Sequence, residues 1–416
     1  MAQTARRPWA HDSVAMEGRT SRGPQFLTVR LPALVLSLLP LCIPWVSHAA
    51  NIPESVHREY LMGSATVHLA TDPTEVPLSG TDWFGHYRSP YVQVYVNGHG
   101  PFTFLFDSGS NVTTLSSKAA KAARVKIINH VPGHHAIALA REIRVGSIRM
   151  DNYYAVIADG DDVDGILGFN SFGRNYLTFD FLTKRLEVSS RPASLPSAFW
   201  LPYTLRKHLP MIDLFADGRR LPTLIDTGDD AYAWEATSND LKGLSFDHAP
   251  VSSATVFNGE TGATKTSITS IDGALQLGPM SSQRPAVAIN QSLPVPDIGM
   301  DVINQFILEF DRIHHRVGFL PLYSRTEFSV PGEITTGFYI SFRQPIRLVR
   351  EVLPDLAPAR AKMTKGDRIL TIDGHDASKV SFESWDRLLR ALRPIRISWQ
   401  HDRRNFSRTF PVVELR

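Results

Sequence analysis

The chain has 416 residues, 43% of them apolar and 20% charged, with a formal net charge of +3. That length accommodates two or three domains of ordinary soluble character. The small, evenly spread surplus of positive charge excludes a nucleic-acid-binding protein that works by neutralising phosphate.

Taken in chain order, the first feature is N-terminal. Arg6, Arg7, Arg19, Arg22 and Arg30 precede an apolar run, "LPALVLSLLPLCIPWV", at residues 31–46, and "SHAA" follows it. A basic region, an apolar core and small residues suited to cleavage are the parts of a secretory signal peptide. They predict a removed segment over residues 1–50 and an exported, periplasmic protein. The basic region is long, and Met16 offers a second start. The alternative is a membrane anchor left uncleaved. The run is short for a span and carries Pro32, Pro40 and Pro44, so no stable membrane span is expected. Cys42, the single cysteine, lies inside this run. The mature chain is therefore expected to hold no thiol, disulfide or cysteine metal ligand, which suits an oxidising compartment.

Next comes "YVQVYVNGHGPFTFLFDSGS", residues 91–110. Two alternating runs flank Asn97-Gly98, which predicts a hairpin. The second run drives directly into Asp107-Ser108-Gly109-Ser110. A carboxylate ending a buried strand is costly unless it is paired or used. A short helical segment is expected at residues 117–123. "HVPGHHA", residues 130–136, is a candidate flap loop with Gly133 as its mobile point. Its His130, His134 and His135 read as loop histidines, because zinc needs further ligands; His314-His315 reads the same way, and no metal or cofactor is expected. "IRVGSIRMDNYYAVI" at residues 143–157 follows, then "LGFNSFGRNYLTFDFLTKRLEV" from Leu167, with a short helical segment expected at residues 169–172.

The chain then repeats itself. A Pro- and Ser-rich connection at residues 189–202 leads to "MIDLFADGRRLPTLIDTGDD", residues 211–230. Asp217-Gly218 takes the place of Asn97-Gly98, and Asp226-Thr227-Gly228-Asp229 takes the place of the first acidic turn. "FNGETGA" at residues 257–263, with Gly259 and Gly262, is the second flap candidate. "LQLGPMSSQRPAVAI" at residues 275–289 echoes the segment at 143–157. "IGMDVINQFILEFDRIHHRVGF" aligns without a gap when Gly299 is set on Gly168. Leu308, Phe310, Asp311 and Arg316 then fall on Leu177, Phe179, Asp180 and Arg185. Four elements repeated in one order indicate a duplication. Gly, Pro and Asn punctuation with little helical period predicts a mainly β molecule of two similar β-barrel-like lobes, residues 51–190 and 191–325.

Placed face to face, such lobes bring Asp107 and Asp226 together. Two neighbouring carboxylates cannot both ionise comfortably, so one pKa rises and the pair holds a single proton over a useful range. One carboxylate then serves as general base on a water and the other as general acid. Gly109 and Gly228 allow a sharp turn and close approach, while Ser108 and Thr227 are placed to hydrogen-bond across the interface. Apolar flanks Leu105, Phe106, Leu224 and Ile225 lower the local dielectric.

These lobes resemble the pepsin- and retropepsin-type aspartic proteases. The resemblance rests on "FDSGS" at residues 106–110, "IDTGD" at 225–229, and the apolar-apolar-Gly elements "ILG" at 166–168 and "DIG" at 297–299. It covers roughly two thirds of the chain and implies an aspartic endopeptidase with catalytic Asp107 and Asp226, acting on polypeptide without a cofactor. In that family, the apolar-apolar-Gly strands cross behind the catalytic turns and support them. Two departures stand out. The first turn reads Asp-Ser-Gly, and Asp229 stands where pepsin-like enzymes carry Ser or Thr. The extra acid either raises the dyad's pKa or binds a substrate backbone amide.

Composition shifts after residues 329–333. "MTKGDRILTIDG", residues 363–374, resembles bacterial PDZ domains, with Gly366, Asp367, Ile369, Leu370, Ile372, Asp373 and Gly374 in that family's pattern. Met363 replaces its usual Gly-Leu pair, and "APARA" at 357–361 matches its short helix. The resemblance implies a small α+β domain over residues 330–416 that adds a peptide to a strand edge and catches its C-terminal carboxylate on the loop headed by Gly337 and Phe338. "SFESWDRLLRAL" fits an amphipathic helix with Trp385, Leu388, Leu389 and Leu392 facing inward and Phe382 toward the groove. The rival to a protease is a catalytically inactive periplasmic peptide-binding or adaptor protein on the same fold; a remoter one is a non-peptidase hydrolase using the same dyad. No Gly-x-Ser-x-Gly turn appears, which argues against a serine protease.

Overall fold

The computed structural model describes residues 66–81, 87–130, 136–159, 163–258, 262–324, 326–342 and 346–416. The expected signal segment, residues 1–50, lies outside the described residues, as do the flap points Gly133 and Gly259 and the histidines His134 and His135. Among the described residues, no helix is long and apolar enough to cross a membrane. Among the described residues the protein is mainly β, with 52% strand and 8% helix.

A nine-stranded sheet occupies the first half and a ten-stranded sheet the second. Each is organised by its hairpin. In the first, Tyr87–Val96 pairs with His99–Asp107 across Asn97 (φ 51°) and Gly98 (φ 77°). In the second, Leu209–Ala216 pairs with Arg219–Ile225 across Asp217 (φ 48°) and Gly218 (φ 76°). Two successive left-handed residues match the twist of the flanking strands, and Asn-Gly and Asp-Gly adopt that geometry with least strain.

A six-stranded sheet joins the halves, in the order Phe199–Pro202, Arg316–Pro321, Phe306–Asp311, Tyr176–Asp180, Arg185–Ser189, Thr74–Pro77. At its centre Leu177 pairs with Phe310 and Phe179 with Leu308. Leu177 and Leu308 are repeat equivalents, as are Phe179 and Phe310. The exchange of partners is what a two-fold axis through this pair requires. One apolar core runs through both halves, built on Phe104, Phe106, Phe169, Phe179, Phe306, Phe310, Phe319 and Trp234. Phe106 lies 5.0 Å from Phe179, and Phe169 5.0 Å from Phe310, ring centre to ring centre.

Helix is sparse. Ser117–Ala122 is helical, started by Ser116, whose side chain accepts from the Ala119 amide. The helical segment expected at residues 169–172 is instead a turn. Ser171 donates its amide to Gly168 and Gly173 to Asn170, three-residue bonds that close turns, and Gly173 adopts φ 61°. The second half does form a helix at the equivalent place, Met300–Ile303.

The C-terminal module has its own core around Phe338, Trp385, Leu389, Ile397, Trp399 and Phe410, with Met363 buried in it. Its sheet runs Phe338–Ile340, Arg347–Val352, Arg368–Ile372, Ile395–His401, Arg404–Phe410, which puts Phe338–Ile340 at an edge. The helix Phe382–Arg390 buries Trp385 and Leu389 as expected. Leu392 does not face inward. The helix ends at Arg390, Leu392 takes a left-handed conformation (φ 49°) after the cap, and it is 53% exposed. A third apolar cluster welds the module to the second half, uniting Tyr232, Ala254, Ile268, Ala286 and Ala288 with Tyr339, Leu353 and Leu415.

Candidate active site

Asp107 ends the strand His99–Asp107, and Asp226 follows directly on Arg219–Ile225. Each strand is backed by a short parallel partner. Gly165–Gly168 pairs alongside Phe104, Leu105, Phe106 and Asp107. Asp297 and Ile298 pair alongside Leu224 and Ile225, and the Asp226 amide donates to the Ile298 carbonyl at 3.0 Å. The apolar-apolar-Gly elements therefore lie beside the acidic turns. Gly168 and Gly299 are glycine because the chain crosses there. A Cβ on Gly168 would lie 2.4 Å from the Val112 carbonyl, and one on Gly299 2.3 Å from that of Tyr232.

The two turns meet. A Cβ on Gly109 would lie 2.2 Å from Asp226 Oδ2, and a Cβ on Gly228 2.5 Å from Asp107 Cγ. Each carboxyl group thus packs against the glycine of the opposite turn, at a distance no other residue permits. The amide of each glycine also serves its own turn. Gly109 donates to Asp107 Oδ1 at 2.8 Å, and Gly228 to Asp226 Oδ1 at 2.7 Å. A carboxylate that accepts backbone N–H bonds is held in place and favoured in its ionised form.

Ser108 and Thr227 lock the pair. The Ser108 amide donates to Thr227 Oγ1 at 2.9 Å, and the Thr227 amide to Ser108 Oγ at 3.0 Å. Each hydroxyl passes its own proton on, Ser108 to the Ile225 carbonyl at 2.6 Å and Thr227 to the Phe106 carbonyl at 3.0 Å. Both residues are buried. Four buried hydrogen bonds with reciprocal partners leave the two turns one relative position.

Residues 92–171 match the family model for aspartyl proteases. No curated protein matches the chain. The matched stretch holds Asp107, Ser108, Gly109, Ser110 and the supporting Gly168, and it ends before the second acidic turn.

Ser110 donates its hydroxyl to the Val112 carbonyl at 2.9 Å. Asp229, its counterpart by position, does something different. Its Oδ1 accepts from the Ala231 amide at 2.8 Å, while Oδ2 is buried with no hydrogen-bond partner. Burial, then the charge of Glu235, pushes its carboxyl well above the usual range.

Sequence reasoning passed over three further acids here. Asp230 accepts from Ser89 Oγ at 2.9 Å, a buried bond between the two halves. Glu235 lies on the buried strand Trp234–Ala236 and is pushed up to about 7, chiefly by burial. Asp297 is buried and raised well above its usual value, again chiefly by burial. The available signal was an aspartate in an apolar-apolar-Gly position. Tyr232 links this region to the hairpin Val251–Asn258/Gly262–Ser270 through Ser253 and Thr266, each at 2.8 Å.

His314 Nδ1 donates to the Asp311 carboxylate at 2.8 Å, and His315 occupies a turn at φ 52°. Gly337 adopts φ 92°, and its amide donates to Thr335 Oγ1 at 3.0 Å, so a peptide carboxylate arriving there meets an amide already in use. Phe338 is buried against Trp385, 5.9 Å between ring centres.

Proposed function

We propose that the chain is an exported aspartic endopeptidase in which Asp107 and Asp226 activate one water between two pepsin-like lobes. The observation that carries this reading is the mutual packing of each carboxyl against the other turn's glycine. One carboxylate removes a proton from the water as its oxygen attacks the peptide carbonyl. The other, protonated, donates to the carbonyl oxygen, and a tetrahedral diol forms. Protons then return through the dyad to the amide nitrogen, the C–N bond breaks, and acid and amine leave. Catalysis is supplied by positioning and by two acids of different proton affinity in one site. The apolar strands behind both turns keep the local dielectric low, which strengthens the coupling between the carboxyls.

The C-terminal module is read as a PDZ domain that tethers substrate or partner peptides by adding them to the edge strand Phe338–Ile340. The arginine-led apolar run at residues 31–46 supports export to a periplasm.

The test is cleavage of unfolded casein by the mature protein from acidic to neutral pH, with and without pepstatin. Asp107→Asn and Asp226→Asn are each expected to abolish cleavage while leaving the fold intact. A folded wild-type protein that binds peptides without cutting them would favour the inactive adaptor instead.

A further inference from the structure

Asp229, Glu235 and Asp297 lie together behind the Asp226 turn, and each offers a carboxylate oxygen within 4.8 Å of the other two. Glu235 and Asp297 are each only 5% exposed. Every member has a donor from within the protein: Asp229 from the Ala231 and Tyr232 amides, Glu235 from Asn290 Nδ2 at 3.2 Å, Asp297 from the Glu235 amide. Every member also keeps one buried oxygen with no hydrogen-bond partner, Asp229 Oδ2, Glu235 Oε1 and Asp297 Oδ1. The charges acting on them are one another, Asp226 and Asp230, all negative.

The fold does not require these acids. In the first half Ile166 pairs with Leu105 and Thr114, just as Asp297 pairs with Leu224 and Glu235. Ser110 follows Asp107 at the spacing at which Asp229 follows Asp226. The same three positions are thus Ser110, Thr114 and Ile166 in one half and three carboxylic acids in the other. Thr114 there satisfies itself by accepting from the Ile166 amide at 3.1 Å. A trio of acids in one half, each with an oxygen left over, calls for something positive between them.

We propose that Asp229, Glu235 and Asp297 bind one hard divalent cation of calcium's size beside the Asp226 turn. An all-oxygen, all-carboxylate set selects calcium, magnesium or manganese over zinc or copper. Calcium–oxygen bonds put opposite ligands about 4.6–5.2 Å apart and neighbouring ones closer, which spans the observed spacing. Burial favours calcium over magnesium, because magnesium keeps several of its waters. A cation here fastens the turn from behind.

The test uses the full mature chain, stripped with a chelator and titrated with CaCl2, MgCl2 and MnCl2 by calorimetry and thermal unfolding. One calcium per chain is expected, with Tm raised about 2–4 °C at a hundredfold excess over Kd. Asp107→Asn is titrated alongside and is expected to bind equally, so the result stands apart from whether the protein is a peptidase. Asp229→Ser and Glu235→Thr, the residues of the first half, are expected to weaken binding at least tenfold. Terbium emission sensitised by Tyr232 and Trp234, and displaced by calcium, locates the site in the wild type should either variant fail to fold. Absence of binding by all three cations overturns the proposal and leaves the trio as carboxyls kept neutral by protons. Undiminished binding in both folded variants overturns it equally, as does unsensitised terbium.

Discussion

Ser108 and Thr227 each donate a hydroxyl to the carbonyl that precedes the other's aspartate, Ser108 to Ile225 and Thr227 to Phe106. Because each oxygen also accepts the partner's amide, removing one hydroxyl strands two buried groups on the opposite turn. Thr227→Val, nearly isosteric, is expected to cost about 2–4 kcal/mol, since each buried group left unsatisfied costs about 1–3 kcal/mol. Ser108→Ala should cost a similar amount, and the double variant less than the sum. Urea unfolding of the four proteins measures this. Strict additivity would show that the two residues do not act as one lock.

The glycines of the turns make a different prediction. A methyl group on Gly109 meets the end of a side chain, Asp226, and one on Gly228 meets Asp107. A carboxyl can swing away more cheaply than a backbone can move. Gly109→Ala and Gly228→Ala should therefore displace the reacting groups while sparing the fold. Expected is a loss of about 100-fold or more in kcat, the scale of a misplacement near 1 Å, with Tm changed by only a few degrees. Peptide cleavage rates and thermal scans on the same samples decide it. Wild-type rates in either variant would mean that the carboxyls do not need this contact.

Glu309 predicts a pH effect on stability. It is buried in the strand Phe306–Asp311, its Oε1 accepts from the Ala193 amide at 3.0 Å, and its pKa is pushed up to about 7 by burial, aided by the charges of Asp311 and Glu187. A carboxyl whose folded pKa lies above its unfolded value near 4.5 favours the fold at low pH. That advantage declines as pH rises from about 4.5 through 7. Glu309→Gln keeps a neutral group there at every pH. The variant should match wild type near pH 4 and be more stable by about 1–3 kcal/mol above pH 8. Denaturant midpoints across that range test it, and a gain independent of pH would contradict it.

Glu351 ties the C-terminal module to the hairpin of the second half. Its carboxylate accepts from the Thr255 amide at 3.0 Å and from Thr255 Oγ1 at 2.8 Å. Beside it, Glu333 bridges Ser253 and the Tyr339 hydroxyl. Glu351→Ala should weaken the docking by about 1–3 kcal/mol, because it leaves the Thr255 amide without its acceptor. The expected readouts are faster proteolysis of the connection at residues 322–332 and, in calorimetry, a module transition that separates from the main one. The shared apolar seam of Tyr232, Ala254, Tyr339, Leu353 and Leu415 keeps the module attached at low temperature. If the variant unfolds and digests like wild type, the apolar seam alone sets the docking.

The sequence by itself determined whatever depends on neighbours in the chain. The hairpins at Asn97-Gly98 and Asp217-Gly218 were legible because left-handed turns need those residues locally, and all four have positive φ. The acidic turns were legible because an apolar strand rarely ends in Asp. Asp229 was noticed only as a departure from a pattern. Leu392 was misjudged because its helix stops two residues earlier, and residues 169–172 because a turn and a single helical turn share one pattern.

Tertiary structure alone decided which residues meet across the sheets. Glu235 and Asp297 are 62 positions apart in the numbering and touch because Trp234–Ala236 runs antiparallel to a two-residue strand. Neither segment is long enough to carry a periodic signal. The partner exchange of Leu177 and Phe179 with Phe310 and Leu308, and the seam that fastens the C-terminal module, likewise arise from pairings between distant strands. Backbone hydrogen bonds between strands carry no residue identity, so a chain announces its strands and turns but leaves their neighbours to packing.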